Sequence, residues 1–162
     1  MTRSRMMLIA LLVTGALLTG AAIAQGAAGV KIISFTGKYT GTATVKRTGD
    51  VADISAKGTG VATAIGAGTI VGVGKGDTSQ QPCASWEGTG TLTGKKGTIA
   101  FKILPGSQAC GDEGGTASIV AKAQVVKATG VLKKATGTLK VTGVYDNNAG
   151  TFSAKFSGKL KQ

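Results

Sequence analysis

The feature that most restricts this chain is a strict alternation of apolar and polar residues near its C-terminus. Between Gly137 and Leu160, the residues Leu139, Val141, Gly143 and Tyr145 share one parity, while Thr138, Lys140 and Thr142 share the other. Asp146-Asn-Asn-Ala-Gly150 interrupts the pattern, which then resumes with Phe152, Ala154, Phe156, Gly158 and Leu160 against Thr151, Ser153, Lys155, Ser157 and Lys159. Side chains two apart share a face only in an extended strand, and a half-buried strand needs one face apolar. Asp, Asn and Gly tolerate the positive φ that closes a tight connection. The stretch predicts an antiparallel hairpin with one face on a core and the other in water.

The same period runs upstream. Lys31 to Val45 places Ile33, Phe35, Gly37, Tyr39, Gly41, Ala43 and Val45 on one face. Val51 to Ile65 reads as a second extended stretch, bent at Gly58 or Gly60, and Thr69 to Val73 begins a third. Ser85 to Leu92 is a fourth and carries the single tryptophan, Trp86; Thr98 to Leu104 is a fifth, with Ile99, Phe101 and Ile103 inward. Thr116 to Lys127 is a sixth strand. Its Ala and Lys content suits a helix, but Val, Ile and Thr and two strand neighbours favour the extended form. Gly74 to Pro82 and Pro105 to Gly115 read as long loops, and Gly130 to Ala135 as a connection with room for one helical turn. With the hairpin the count is eight strands, give or take one.

An open sheet of that size leaves two unpaired edges, and closure into a barrel removes them. Glycine inside strands is ordinarily destabilising, yet it recurs here at Gly41, Gly58, Gly88, Gly143 and other interior positions. Strands that coil sharply require it. The expected fold is all-β, an antiparallel eight-stranded barrel, with a β-sandwich as the alternative. Glycine, alanine and threonine dominate, so the interior is expected to be narrow, with at most a small cavity.

The first residues read as a leader. Arg3 and Arg5 precede an apolar run from Met6 to Leu18, and Ala22-Ile23-Ala24 is a small-x-small step followed by Gln25. That order is the layout of a secretory signal peptide, and the run is short for a bilayer span of about 20 residues. Residues 1–24 are expected to be removed and 25–162 to form one secreted domain, extracellular or periplasmic, with no transmembrane segment after cleavage. Beyond position 24 there are 17 basic and 7 acidic residues, a formal charge of +10. Cys83 and Cys110 are the only cysteines. An even count in an exported chain predicts a disulfide, and no CxxC spacing or histidine supports the alternative of a metal or redox pair.

Without histidine, the usual Ser-His-Asp and Cys-His nucleophile arrangements and His-based metal sites are excluded. No cofactor is indicated and no catalytic residue can be assigned. The acids are Asp50, Asp53, Asp77, Glu87, Asp112, Glu113 and Asp146. Asp112 and Glu113 sit between glycines beside Cys110, as an acid/base pair or weak calcium loop would, or simply as a polar turn. Trp86, between Cys83 and Glu87, suits either the mouth of a barrel or packing over a disulfide. Trp86, Glu87, Asp112 and Glu113 are therefore the candidate ligand-binding residues, placed at a cavity rim. Thr40, Thr42 and Thr44, and Thr89, Thr91 and Thr93, form T-x-T-x-T runs, which order ice only on a flat face; the interior glycines argue for curvature.

Lysine is the strongest functional signal. Lys140, Lys155, Lys159 and Lys161 fall on outward faces, and Lys95-Lys96 and Lys133-Lys134 in connections. Such charge attracts polyanions, whether anionic cell-wall polymers, lipid headgroups or nucleic acid, or serves solubility by protecting strand surfaces. Arg47 is the one arginine after the leader, so specific nucleic-acid recognition is not expected.

The segments Cys110-Gly-Asp-Glu-Gly-Gly115, Ala135-Thr-Gly-Thr-Leu139, Val144-Tyr-Asp146 and Gly150-Thr-Phe152 to Phe156-Ser-Gly158 resemble a group of small secreted bacterial proteins. Their barrel is similar to the eight-stranded allene oxide cyclase and dirigent barrels. The resemblance covers about the last third of the chain and carries none of the plant enzymes' catalytic residues onto it. It implies a barrel and export. The functional expectation is a non-enzymatic secreted barrel that binds anionic extracellular polymers or surfaces, with a small apolar ligand or cyclase-like chemistry as the alternative.

Overall fold

In a computed structural model, residues 29–162 are described; the signal peptide expected over 1–24 lies outside them. The strands are β1 (Ile32–Thr48), β2 (Val51–Ala62), β3 (Gly66–Asp77), β4 (Cys83–Gly94), β5 (Gly97–Ile103), β6 (Gln108–Gly111), β7 (Thr116–Ala128), β8 (Thr138–Asp146) and β9 (Thr151–Lys161). One 3-10 turn, Gly130–Leu132, joins β7 to β8. All pairings are antiparallel, and the sheet closes on itself as β1-β2-β3-β4-β5-β7-β8-β9 and back to β1. The fold is the eight-stranded antiparallel barrel.

The ninth strand is the departure from expectation. β6 lies inside the stretch Pro105 to Gly115 that reads as a loop. It occupies the same slot as β5: both sit between β4 and β7, β5 toward one end and β6 toward the other. Four residues are too few to show a period, and proline and glycine precede them. At the break, the Ser107 hydroxyl donates to the Leu104 carbonyl at 2.7 Å and accepts from the Lys122 amide at 3.3 Å. It thereby replaces ladder bonds that the interruption removes. β3 also runs on to Asp77, past the Val73 at which the sequence signal fades into glycine.

The alternation places the faces as the sequence implies. In β1, Phe35 and Tyr39 are buried while Thr36, Lys38, Thr40 and Thr42 are exposed. In the β8–β9 hairpin Leu139, Val141, Phe156 and Leu160 are buried, and Lys140, Lys155 and Lys159 are exposed. In these three strands the inside is apolar and the outside is mostly Thr, Ser and Lys, while elsewhere the outer face also exposes valines, among them Val71, Val73, Val120 and Val126.

Two creases shape the cross-section. Gly41 lies opposite Gly58 across β1 and β2, and Gly74 opposite Gly88 across β3 and β4. A Cβ on Gly41 would collide with the Lys57 carbonyl, and one on Gly88 with the Val73 carbonyl. Only hydrogen fits where the sheet folds that tightly on its own inner face.

Candidate ligand cavity at the open end of the barrel

The two ends of the barrel are built differently, because inward-facing residues change size along the strands. One end receives Phe35 and Tyr39 from β1, Leu92 from β4, Ile99 from β5, and Leu139 and Leu160 from the last hairpin, all essentially inaccessible to solvent. Ile65 from the β2–β3 turn and Leu132 from the 3-10 turn plug this closed end. The turns over it are tied by backbone hydrogen bonds, Lys96 N–H to the Ile65 carbonyl and Val131 N–H to the Lys96 carbonyl. Toward the other end the same faces carry Ala43, Ala52, Ala56, Ala84, Gly72, Gly74 and Gly76. Small side chains cannot fill the bore that the backbone geometry sets, since barrel diameter depends on strand number and stagger.

A cavity of about 220 Å³ results, open at this second end. Its floor is Ile70, Phe101, Ile103, Val141 and Phe156, all buried. Phe156 joins this floor to the closed core. Its ring lies 5.5 Å from that of Phe101, and it meets Tyr39 edge to face at 5.9 Å. The Tyr39 hydroxyl is buried without a hydrogen-bond partner, and that burial raises its pKa above the usual tyrosine value. The Trp86 indole N–H is likewise buried and unpartnered.

The polar residues of the lining are Arg47, Thr78, Gln81, Tyr145 and Asn147 at the rim, and Thr89, which sits on the exposed parity of β4. Most already serve the structure. The Tyr145 hydroxyl donates to the Ala43 carbonyl at 3.4 Å, the Asn147 amide to the Gly115 carbonyl at 2.9 Å, and the Thr78 hydroxyl to the Asp50 carbonyl at 3.1 Å. Arg47 follows Ala43 and Val45 at the inward parity and arrives where β1 leaves the barrel.

Of the four candidate ligand-binding residues, the structure brings only Trp86 to the cavity. Glu87, its neighbour in β4, points outward, opposite Lys75 on β3. Asp112 and Glu113 occupy the exposed β6–β7 turn at the open end, outside the lining. There the Asp112 carboxylate accepts the Thr116 amide at 2.7 Å and closes the turn. Cys83 and Cys110 are directly opposed on β4 and β6 and form the disulfide. Among the described residues, no three His, Cys, Asp or Glu side chains gather as a metal set. The residues missed by sequence reasoning are Arg47, Tyr145 and the wall alanines. Their signal was available in the parity they share with the core positions of their strands.

All seven acids belong to the open half. Asp50, Asp112 and Glu113 lie in its turns; Asp77 and Asp146 end β3 and β8; Asp53 and Glu87 lie near the starts of β2 and β4. Hydrogen bonds from Ser79, first through its side chain and then its backbone, hold Asp77 below the usual carboxylate range. Lys46, Arg47, Lys75 and Lys155 accompany them there. No family model, no curated protein and no solved structure matches this chain.

Proposed function

We propose that this protein binds a small apolar molecule in the open end of its barrel. The observation that carries the proposal is the cavity itself, walled by aliphatic and aromatic side chains with inward polar groups only at the rim. Its 220 Å³ exceeds the about 150 Å³ that suffices for benzene and falls below the about 300 Å³ at which drug-sized pockets begin. A one- or two-ring apolar molecule fits that interval. Among the described residues no carboxylate and no amine lines the wall, so binding suits the cavity better than acid–base chemistry of a cyclase kind. The resemblance of the C-terminal third to small secreted bacterial barrel proteins supports a barrel and export, and leaves the ligand to the cavity's own chemistry. The leader-like N-terminus and the disulfide support action outside the cytoplasm.

Trp86 is the only tryptophan and reports occupancy. Titration with a naphthalene-class probe is expected to shift and saturate its emission. Ala56→Phe, which fills the wall, is expected to abolish that response while thermal unfolding stays cooperative. Unchanged probe binding in Ala56→Phe sinks the proposal.

A second role, adhesion of the lysine-rich outside to anionic extracellular polymers or surfaces, is favoured by one observation. Lys38 lies directly opposite Lys155, and Lys122 directly opposite Lys140, all exposed. Like charges so placed cost stability, and a bound anion would offset the cost. Retention on an anionic matrix, and its loss with rising salt, tests this role.

A further inference from the structure

The charges are sorted along the barrel axis, and the closed end holds no acid at all. Lys31 and Lys161 flank its rim, Lys95 and Lys96 form the β4–β5 turn, and Lys133 and Lys134 follow the 3-10 turn; all six are exposed. The nearest carboxylates are those of the open half. A strand of 12 residues spans about 40 Å, and about 30 Å along the axis once tilted. The Debye length is about 8 Å at physiological salt, so the acids do not cancel the closed-end charge.

Apolar side chains stand among these lysines. Val30, Ile32 and Val131 are 66%, 52% and 52% exposed, and Val131 sits against the lysine turn through its amide bond to the Lys96 carbonyl. A patch that is cationic and also carries exposed aliphatic groups fits an interface offering both anionic headgroups and acyl chains. A soluble polyanion offers only the charge.

We propose that the closed end docks on an anionic bilayer surface, leaving the cavity mouth pointing away from it. This rests on the adhesion reading for the attraction and adds the partner, the face and the orientation. The mouth, where the acids are concentrated, is repelled by the same surface.

The test uses residues 25–162, since every ladder of the barrel falls between Ile32 and Lys161. Binding to vesicles rich in anionic lipid is measured by co-sedimentation, with zwitterionic vesicles, a soluble carboxylated polysaccharide and the protein's own association state measured alongside. Each lysine at an anionic surface contributes about fivefold, so Lys95→Glu with Lys96→Glu and Lys133→Glu is expected to weaken vesicle binding by roughly a hundredfold or more. A charge-matched control on the wall, Lys46→Glu with Lys57→Glu and Lys102→Glu, is expected to lose far less, with both proteins melting cooperatively. In the bound state Trp86, which lines the cavity, is expected to stay open to a water-soluble quencher and untouched by brominated acyl chains. Equal losses in the two variants, or quenching of Trp86 by the lipid, would overturn the proposal. So would capture by the polysaccharide without vesicle binding, which leaves the adhesion reading standing, or head-to-tail self-association in place of vesicle binding.

Discussion

Tyr39 shows how one side chain can satisfy packing and fail hydrogen bonding. Its ring fills the space over Gly37 and Gly60 and meets Phe156, but its hydroxyl has no partner. A buried hydroxyl left unpaired costs about 1 to 3 kcal/mol. Tyr39→Phe is therefore expected to raise stability by about 1 kcal/mol in urea titrations at neutral pH. Burial raises the pKa of this group in the folded state, so above pH about 10 the unfolded chain gives up its phenolic proton first. Stability is whole below that pH and falls as pH climbs toward the raised folded value. The Phe variant is expected to lose that part of the alkaline decline, and an identical alkaline profile in both proteins contradicts the assignment. The parity of Tyr39 with Phe35 and Gly37 makes its inward direction legible from the sequence. The missing partner is not, because it depends on what the other strands place around the hydroxyl.

At the scale of elements, the weakest stretch of wall is the β5–β6 slot. The four residues of β6 pair with β4 over three positions and with β7 over four. The disulfide Cys83–Cys110 staples that short strand to β4, closing a sequence separation of 27. In the chain-entropy picture such a loop is worth about 3 kcal/mol. Replacing both cysteines by serine is expected to lower the melting temperature by about 10 °C. The loss is expected to begin at the open end, with amide exchange rising first in β6 and in β4 near Trp86, while β8 and β9 stay protected. Uniform exchange across the barrel counts against this local role. Strong alternation made seven of the eight slots readable. The β6 half of the remaining slot was hidden because its pairing is specified by partners and a covalent bond, and its own sequence has no period.

For the whole molecule, charge and cavity are arranged on one axis. The open half gathers every acid, while the closed end and the β7-β8-β9-β1 wall are cationic. Contact with an anionic matrix is therefore expected to involve many lysines and to be steep in salt. Retention at about 0.01 M salt, where the Debye length is about 30 Å, is expected to vanish by about 0.15 M if attraction is purely long-range. It should persist further if lysines make close contacts. Lys38→Glu with Lys155→Glu is expected to shift elution to lower salt, and elution that ignores this double variant argues against the wall as a contact.

The sequence by itself determined the strands, their inner and outer faces, the need for closure and the availability of one disulfide. Each follows from local period, turn chemistry or a count of two, and none requires knowing which strand lies beside which. Tertiary structure alone decided that one end of the bore is filled and the other empty. That outcome depends on large residues from five strands and two turns arriving at the same level, and on alanine and glycine arriving together at another. It also decided that seven acids scattered over a hundred residues share one end. Antiparallel strands return the chain to the same end at every second turn, so residues remote in sequence become neighbours in charge. The C-terminal hairpin carries the clearest pattern in the chain, and it supplies Phe152, Ala154 and Phe156 to a cavity that no hairpin could enclose alone.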